Sequence, residues 1–116
     1  MVKYIRKQIK EIKIETSFQK RYIEDGAICE VTFTFPRTAS PGARKVALVG
    51  DFNGWDINGA LMNKLENGDF TLDLALESGR EYRFKYLIDD ERWENDWHAD
   101  KYLPSPNGHD DSVVLV

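Results

Sequence analysis

Hydrophobic and polar residues alternate along several short segments of this chain, the pattern of β-strands that place one face in a core and the other in water. From Tyr82 to Ile88 every second residue is aromatic or aliphatic, whereas Arg83 and Lys85 fall on the opposite face. The alternating segments are 29–35, 70–76 and 82–88. Two shorter and mainly apolar runs, 45–49 and 112–116, are also predicted as buried strands. The chain is therefore predicted to be all-β.

Turn-forming pairs that end in glycine separate the predicted strands. They are Asp25-Gly26, Pro41-Gly42, Asn53-Gly54, Asn58-Gly59, Asn67-Gly68, Ser78-Gly79 and Asn107-Gly108. Many short strands with this punctuation, and no helical segment between them, favour an immunoglobulin-like β-sandwich of two antiparallel sheets. The tightest hairpin is predicted at Asn67-Gly68, because that pair readily adopts the positive φ values of a type I′ turn.

The N-terminal segment has two interpretations. The spacing of Ile5, Ile9 and Ile12 suits a helix, whereas Ile12 and Ile14 suit a strand. We predict an N-terminal strand or extended arm, partly ordered, over residues 1–28, followed by a sandwich domain over residues 29–116. A helix packed on the sandwich is the alternative.

The composition is that of one soluble globular domain. The chain has 116 residues, of which 41% are hydrophobic and 31% charged. Its formal net charge of -4 disfavours nucleic acid as a partner, since such binding depends on neutralisation of phosphates by Lys and Arg. No apolar run is long enough to span a bilayer or to act as a secretory signal, so we expect a cytoplasmic protein. Cys29 is the only cysteine and is predicted to be a packed thiol within a strand.

Two tryptophans lie where burial does not explain them. Trp55 ends the turn G-D-F-N-G-W, and Trp93 lies in a polar segment that follows a strong strand. A sugar ring has an apolar face of C–H groups and a rim of hydroxyls, so a sugar site needs flat aromatic surfaces and a few polar groups. Lys85 is predicted to point outward from its strand, where its ammonium could donate to hydroxyls. Trp97 is instead predicted to pack in the core.

The order and spacing of these parts resemble a known family. The turn from Gly50 to Trp55, the strand that begins at Tyr82, the following Trp93 and the closing strand after Asn107 resemble the glycogen-binding module. This group is also called carbohydrate-binding module family 48, or the isoamylase N-terminal early-set domain. It includes the β subunit of AMP-activated protein kinase and a domain of glycogen branching and debranching enzymes. The resemblance covers roughly residues 31–116.

The resemblance implies a fold, a ligand and a set of roles. The fold is an early-set, immunoglobulin-like sandwich, and the ligand is an α-1,4-linked glucan such as glycogen, starch or a maltooligosaccharide. Trp55 and Trp93 take the positions of the stacking tryptophans, and Lys85 takes that of a lysine that hydrogen-bonds the sugar hydroxyls.

The chain departs from the family pattern in its final loop. Where glycogen-binding members carry an apolar residue, a threonine and an asparagine near the sugar, this chain has Asn107, His109 and Asp111. One extra residue also lies between Asp89 and Trp93. We expect an intact aromatic platform with an altered rim. Binding is expected to be weak, because a shallow surface must offset the ordering cost of association.

Catalysis and metal binding are the weaker interpretations of the acidic residues. A glycosidase needs two carboxyl groups that face each other across a sugar, and a single small sandwich lacks a deep cleft. The carboxylates considered are Asp89, Asp90, Glu94, Asp96 and Asp100, which we predict to cap turns and to lie in solvated loops. The group formed by His98, Asp96, Asp100, Asp110 and Asp111 matches no metal-binding loop, so we expect no metal and no cofactor.

A protein-interaction or scaffold module of the same fold is the main alternative. In that interpretation the tryptophan patch or an exposed sheet edge docks a glycan-active enzyme or a kinase-like partner.

Overall fold

Nine strands form two antiparallel sheets in the computed structural model of the chain, which describes residues 18–116. In chain order they are β1 Phe18–Ile23, β2 Ile28–Phe35, β3 Val46–Gly50, β4 Asn63–Lys64, β5 Phe70–Glu77, β6 Glu81–Ile88, β7 Arg92–Glu94, β8 Lys101–Pro104 and β9 Asp110–Leu115. One sheet has the order β1-β2-β5-β4, and the other has the order β3-β6-β9-β8, with β7 paired to one end of β6. The predicted immunoglobulin-like sandwich is confirmed.

The core lies between the two sheets and is built largely from β2 and β6. Phe33 and Phe35 of β2 are buried against Phe84 and Tyr86 of β6, and Cys29 is fully buried at the other end of β2, as predicted. The Phe33 and Phe84 rings meet edge to face, with centroids 5.3 Å apart and planes at 79°. The three alternating segments are confirmed as β2, β5 and β6, and the two shorter runs as β3 and β9.

The outer face of β6 carries a second, smaller apolar cluster. Leu87 is buried there together with Ala47 and Val49 of β3, and Trp55 packs against the three of them. These residues alternate with the core-facing ones, so the centre of the β3–β6 pair is covered on both faces. This outer cluster is the base on which the candidate site is built.

The edge strand β1 lies in the segment that was assigned to an N-terminal strand or arm. It pairs with β2 along its whole length, from Phe18 opposite Phe33 to Ile23 opposite Ile28. Phe18 is buried in the core, where its ring meets those of Phe33 and Phe84. The ambiguous isoleucines of residues 5–14 lie outside the described residues.

Helical structure between residues 18 and 116 is confined to single 3₁₀ turns. No helix in this part of the chain is long and apolar enough to cross a membrane.

The hairpin at Asn67-Gly68 is confirmed, but the type I′ turn predicted for it is wrong. Gly68 has a φ of +94°, whereas Asn67 does not have a positive φ. The Gly68 N–H donates to the Leu65 carbonyl at 3.0 Å, and the side-chain oxygen of Asn67 accepts from the Asp69 N–H at 2.9 Å. These contacts describe a type I turn followed by a left-handed glycine. Asn67 favours it because its amide can bond the backbone two residues on.

The position predicted for Trp97 is also wrong, because its side chain is 55% exposed. Its neighbour Asp96 is the residue that turns inward, although it was predicted to lie in a solvated loop. One carboxylate oxygen of Asp96 accepts from the Tyr86 hydroxyl at 2.7 Å, and the other accepts from the His98 N–H at 2.8 Å. Burial and the nearby Asp96 carboxylate raise the pKa of Tyr86 well above its ordinary value. The hydroxyl therefore stays protonated and anchors Asp96, which leaves Trp97 on the surface.

Candidate functional site

A tight turn after β3 begins at a glycine that tolerates no side chain. A Cβ atom on Gly50 would lie 2.3 Å from the Arg83 carbonyl oxygen and 2.7 Å from the Phe84 Cβ. Glycine at this position therefore lets β3 run directly against β6. The chain then makes the 3₁₀ turn Asp51–Asn53, and both Gly54 and Trp55 follow with positive φ, at 65° and 61°.

The Asn53 side chain holds this turn together. Its oxygen accepts from the Gly50 N–H at 3.1 Å, and its nitrogen donates to the Leu48 carbonyl at 2.9 Å. The Trp55 N–H also donates to the Gly50 carbonyl at 2.9 Å. These bonds satisfy backbone groups that would otherwise be left without partners where the strand ends.

The Trp55 indole is fixed by one polar and one apolar contact. Its Nε1–H donates to the Asp51 carboxylate at 3.0 Å, and its ring packs against the outer cluster of Ala47, Val49 and Leu87. The other Asp51 oxygen accepts from the Arg83 N–H at 2.8 Å. A single carboxylate thus ties the indole to the central strand β6.

Two cations of β6 flank the Asp111 carboxylate. The Arg83 Nη1 lies 3.5 Å from Oδ2 of Asp111, and the Lys85 Nζ lies 4.0 Å from Oδ1. The Asp111 side chain is only 9% exposed and that of Lys85 only 13%. Asp111 compensates for part of the positive charge, and the ammonium of Lys85 keeps donors for a ligand because it carries three N–H groups.

Trp93 reaches the same surface from the short strand β7. It is paired with Leu87 of β6, and its side chain is 47% exposed. The turn before it requires Asp89 and Asp90 to adopt positive φ values of 52° and 60°, which fold β7 straight back along β6. Trp93 is therefore placed beside the outer cluster that supports Trp55.

The loop between β8 and β9 forms the rim on the opposite side. The Ser105 N–H donates to the His109 carbonyl at 2.8 Å, and the Asn107 side-chain oxygen accepts from the His109 N–H at 3.1 Å. The Ser105 hydroxyl contacts the same Asn107 oxygen. Gly108, with a φ of +88°, completes the turn. The exposed Asn107 and His109 side chains are thus carried on a closed, internally bonded loop.

The six residues that the sequence analysis assigned to a carbohydrate site line one groove. It has a volume of about 470 Å³. Its lining residues are Trp55, Lys85, Trp93, Asn107, His109 and Asp111. We call this the tryptophan groove. It offers two indoles, an ammonium group and several side-chain donors and acceptors within one concave surface.

Two residues of this surface were missed by the sequence analysis. Asp51 positions both Trp55 and Arg83, and Arg83 lines a second groove that adjoins the first. Arg83 could have been found, because strand alternation places it on the same face as Lys85, two residues away. Nothing in the sequence distinguishes Asp51 from other turn aspartates.

Several of the acidic residues considered for catalysis or metal binding have structural partners. Asp89 accepts from the N–H groups of Arg44 and Lys45, both at 2.9 Å, and these bonds lower its pKa. Asp100 accepts from the Lys20 ammonium and from the Leu115 N–H, both at 2.7 Å. Between residues 18 and 116, no group of three or more His, Cys, Asp or Glu side chains could hold a metal ion.

Comparison with solved structures supports the architecture. The chain is similar to the ferric enterobactin esterase of Salmonella typhimurium, with a TM-score of 0.68 and 12% sequence identity. The similarity covers 90% of this chain but only 35% of the esterase chain, so the protein spans about a third of the length of that enzyme. At this level of identity the similarity concerns the fold alone. No curated protein matches the chain at a significant level.

Comparison with protein families gives the identity of the domain. Residues 30–114 match the family described as the glycogen recognition site of AMP-activated protein kinase, a carbohydrate-binding module family. The match runs from β2 to β9 and includes every residue of the tryptophan groove. The resemblance noted in the sequence is confirmed, and the chain belongs to the family of the glycogen recognition site of AMP-activated protein kinase.

Proposed function

We propose that this protein is a non-catalytic carbohydrate-binding module for α-1,4-linked glucan. One observation carries the proposal: the tryptophan groove combines two surface indoles with the ammonium of Lys85. Family membership supports carbohydrate as the ligand class. The choice of an α-1,4-linked glucan follows from the glycogen named in the family description.

In this proposal the indoles bind the apolar faces of glucose rings. Trp55 is half-buried and is held by Asp51 and the outer cluster, so stacking on it costs little side-chain entropy. Trp93 provides the second flat surface, and the rim residues Asn107 and His109 face the hydroxyls. Lys85 donates hydrogen bonds to hydroxyls from the floor of the groove.

The absence of catalysis is part of the proposal and rests on the lining of the groove. A glycosidase uses two carboxyl groups on opposite sides of the scissile bond. Asp111 is the single carboxylate among the residues that line the tryptophan groove, and it is engaged by Arg83 and Lys85. We therefore expect no release of sugar from maltooligosaccharides.

The first test is retardation of the protein in gels that contain glycogen. We expect the wild-type protein to be retarded, and Trp55→Ala and Trp93→Ala to lose most of the retardation. Loss of one stacked aromatic ring corresponds to about 0.5–1.5 kcal/mol, or about 2- to 12-fold in affinity. Trp97→Ala is the matched control, because Trp97 is also exposed but does not line the groove.

Two outcomes would overturn the proposal. In one, the wild-type protein migrates unchanged at high concentrations of glycogen and of amylose, which would favour protein docking as the role of this surface. In the other, Trp97→Ala loses as much retardation as Trp55→Ala, which would place the sugar elsewhere.

A further inference from the structure

A second groove adjoins the tryptophan groove at Trp55. It has a volume of about 870 Å³ and is more open to solvent. The two grooves share Trp55, Asn107 and Asp111. The residues found only in the second groove are Arg83, Pro104, Ser105 and Pro106. We call it the arginine groove.

The Arg83 guanidinium is fixed in place but keeps unused donors. Its Nη1 donates to the Pro104 carbonyl at 3.0 Å and lies 3.5 Å from the Asp111 carboxylate. Neither Nε nor Nη2 of Arg83 has a hydrogen-bond partner among residues 18–116, and the side chain is 36% exposed. A guanidinium held at one end therefore presents its remaining N–H groups to an open surface.

Arg83 and Trp55 are also positioned by the same group. The Asp51 carboxylate accepts from the Trp55 indole through one oxygen and from the Arg83 backbone through the other. Asp51 thus ties the indole to the backbone from which the Arg83 side chain extends, and the Pro104 carbonyl holds the guanidinium itself. Such preorganisation lowers the entropy that binding must overcome.

We propose that the arginine groove holds further glucose units of the same glucan chain, so that the module prefers long chains over short ones. The inference rests on the proposed function of the tryptophan groove. A chain that stacks on Trp55 enters the arginine groove as it extends, and Arg83 donates to hydroxyls of the additional units. Pro104 and Pro106 provide rigid apolar walls for their C–H faces. These additional units are covalently linked to the glucose that stacks on Trp55. Each can therefore add contacts without a second loss of translational and rotational entropy.

The test compares a short and a long oligosaccharide. The full chain is titrated with maltotriose and with maltoheptaose, and the affinity ratio is measured for the wild type and for Arg83→Met, which keeps much of the apolar stem. We expect the variant to bind maltotriose within about twofold of the wild type and to lose about tenfold in affinity for maltoheptaose, the effect of one or two hydrogen bonds to a charged donor. Longer chains have a statistical advantage, but it is equal in both proteins and cancels in the comparison.

The matched control is Arg21→Met. Arg21 lies on the edge strand β1, pairs with Glu30 and lines neither groove. Its removal changes the net charge by the same amount, so we expect it to leave the wild-type affinity ratio unchanged.

A second readout uses the wild-type protein and does not depend on how the variant folds. The Nε–H signal of Arg83 is followed by NMR during both titrations. We expect it to shift with maltoheptaose and to stay in place with maltotriose, whereas the indole signal of Trp55 shifts with both.

The proposal is overturned if Arg83→Met keeps the wild-type ratio, or if it weakens both sugars equally, which would mean that Arg83 acts only by holding the loop after Pro104. It is also overturned if the Nε–H signal of Arg83 does not shift when maltoheptaose is added. Binding of maltotriose with no gain for maltoheptaose contradicts this inference alone. Failure of every sugar to bind the wild type contradicts the proposed function itself.

Discussion

Trp55 has a backbone conformation that tryptophan seldom adopts. Its φ of 61° lies in the left-handed region, which costs a bulky residue of the order of 1–3 kcal/mol. The cost is offset locally by the Trp55 N–H bond to Gly50, by the bond from the indole to Asp51 and by packing on the outer cluster. Strain of this kind persists where surrounding contacts hold the residue in place. Here those contacts hold an aromatic side chain at the edge of a groove.

The position before this turn gives a test of the geometry. Gly50→Ala is expected to lower the free energy of unfolding by about 3 kcal/mol, because its Cβ would collide with the backbone of β6. Urea denaturation measures the change. Gly59→Ala, in the same connection, is the control. A Cβ at Gly59 lies no closer than 3.3 Å to any atom, so its cost should be clearly smaller. Equal losses for the two variants would contradict the proposed close approach of β3 and β6.

At the scale of single residues, the sequence could identify the candidate sugar-binding residues but not the contacts that position their side chains. Trp55, Lys85 and Trp93 are recognisable because aromatic residues in turns and an outward-facing lysine are unusual for a core. Asp51 could not be distinguished from other turn aspartates, because its role depends on meeting Arg83 from another strand. Trp97 was misplaced because the inward turn of Asp96 depends on the hydroxyl of Tyr86.

Among the elements, β6 organises the site, because its outer face alternates with the buried one. Arg83, Lys85 and Leu87 alternate along that face. Lys85 and Leu87 supply the cation and the apolar base of the tryptophan groove, and Arg83 supplies the cation of the arginine groove. The neighbouring strands β3 and β9 bring the turn with Trp55 and the carboxylate of Asp111. The site is therefore a product of strand order as much as of any one motif.

The strands were predictable to different degrees for a physical reason. β2, β5 and most of β6 alternate because one face of each lies in the core, and Leu87 departs from the pattern because it belongs to the outer cluster. β4, β7 and β8 contain no fully buried residue, so no alternating pattern marks them. Their pairing depends on neighbours that come together only in the folded chain.

We expect the turn between β6 and β7 to make part of the stability depend on pH. The Asp89 carboxylate accepts from the N–H groups of Arg44 and Lys45, which precede β3, and these bonds hold its pKa below the usual value. Because the folded-state pKa is lowered, this contribution is present above the unfolded-state pKa of about 4 and is lost as pH falls through the folded-state value.

Asp89→Asn should therefore differ most from the wild type in stability near neutral pH. We expect the difference in the free energy of unfolding to shrink between about pH 7 and about pH 3, measured by urea denaturation at both. Asp73→Asn is the control, because Asp73 is exposed on β5 and makes none of these backbone bonds. A difference for Asp89→Asn that stays constant with pH would show that the carboxylate has no stabilising charge in the folded state.

In the molecule as a whole, the core and the binding surface use different aromatic residues. Phenylalanine and tyrosine fill the space between the sheets, whereas all three tryptophans lie on the surface or only half-buried. Trp93 can therefore be replaced without opening a cavity between the sheets. Loss of sugar binding in that variant can be assigned to the surface and not to unfolding.

The reactivity of the one cysteine of the chain should report how often the sandwich opens. Cys29 is fully buried and lies on a central strand, between Tyr22 of β1 and Leu76 of β5. A thiol reagent can therefore react with it only after the sandwich opens. We expect labelling many times slower than for an unfolded chain. Maltoheptaose should slow it further by the factor 1 + [L]/Kd, since the sugar binds only the folded form.

Trp93→Ala should show the same slow labelling but little response to the sugar. Rapid labelling of the native protein would contradict the buried position of Cys29. Cys29 lies in the other sheet from the tryptophan groove, so the rate at which its thiol reacts would report occupancy of a weak site without a dye, an enzyme assay or a change in the sugar.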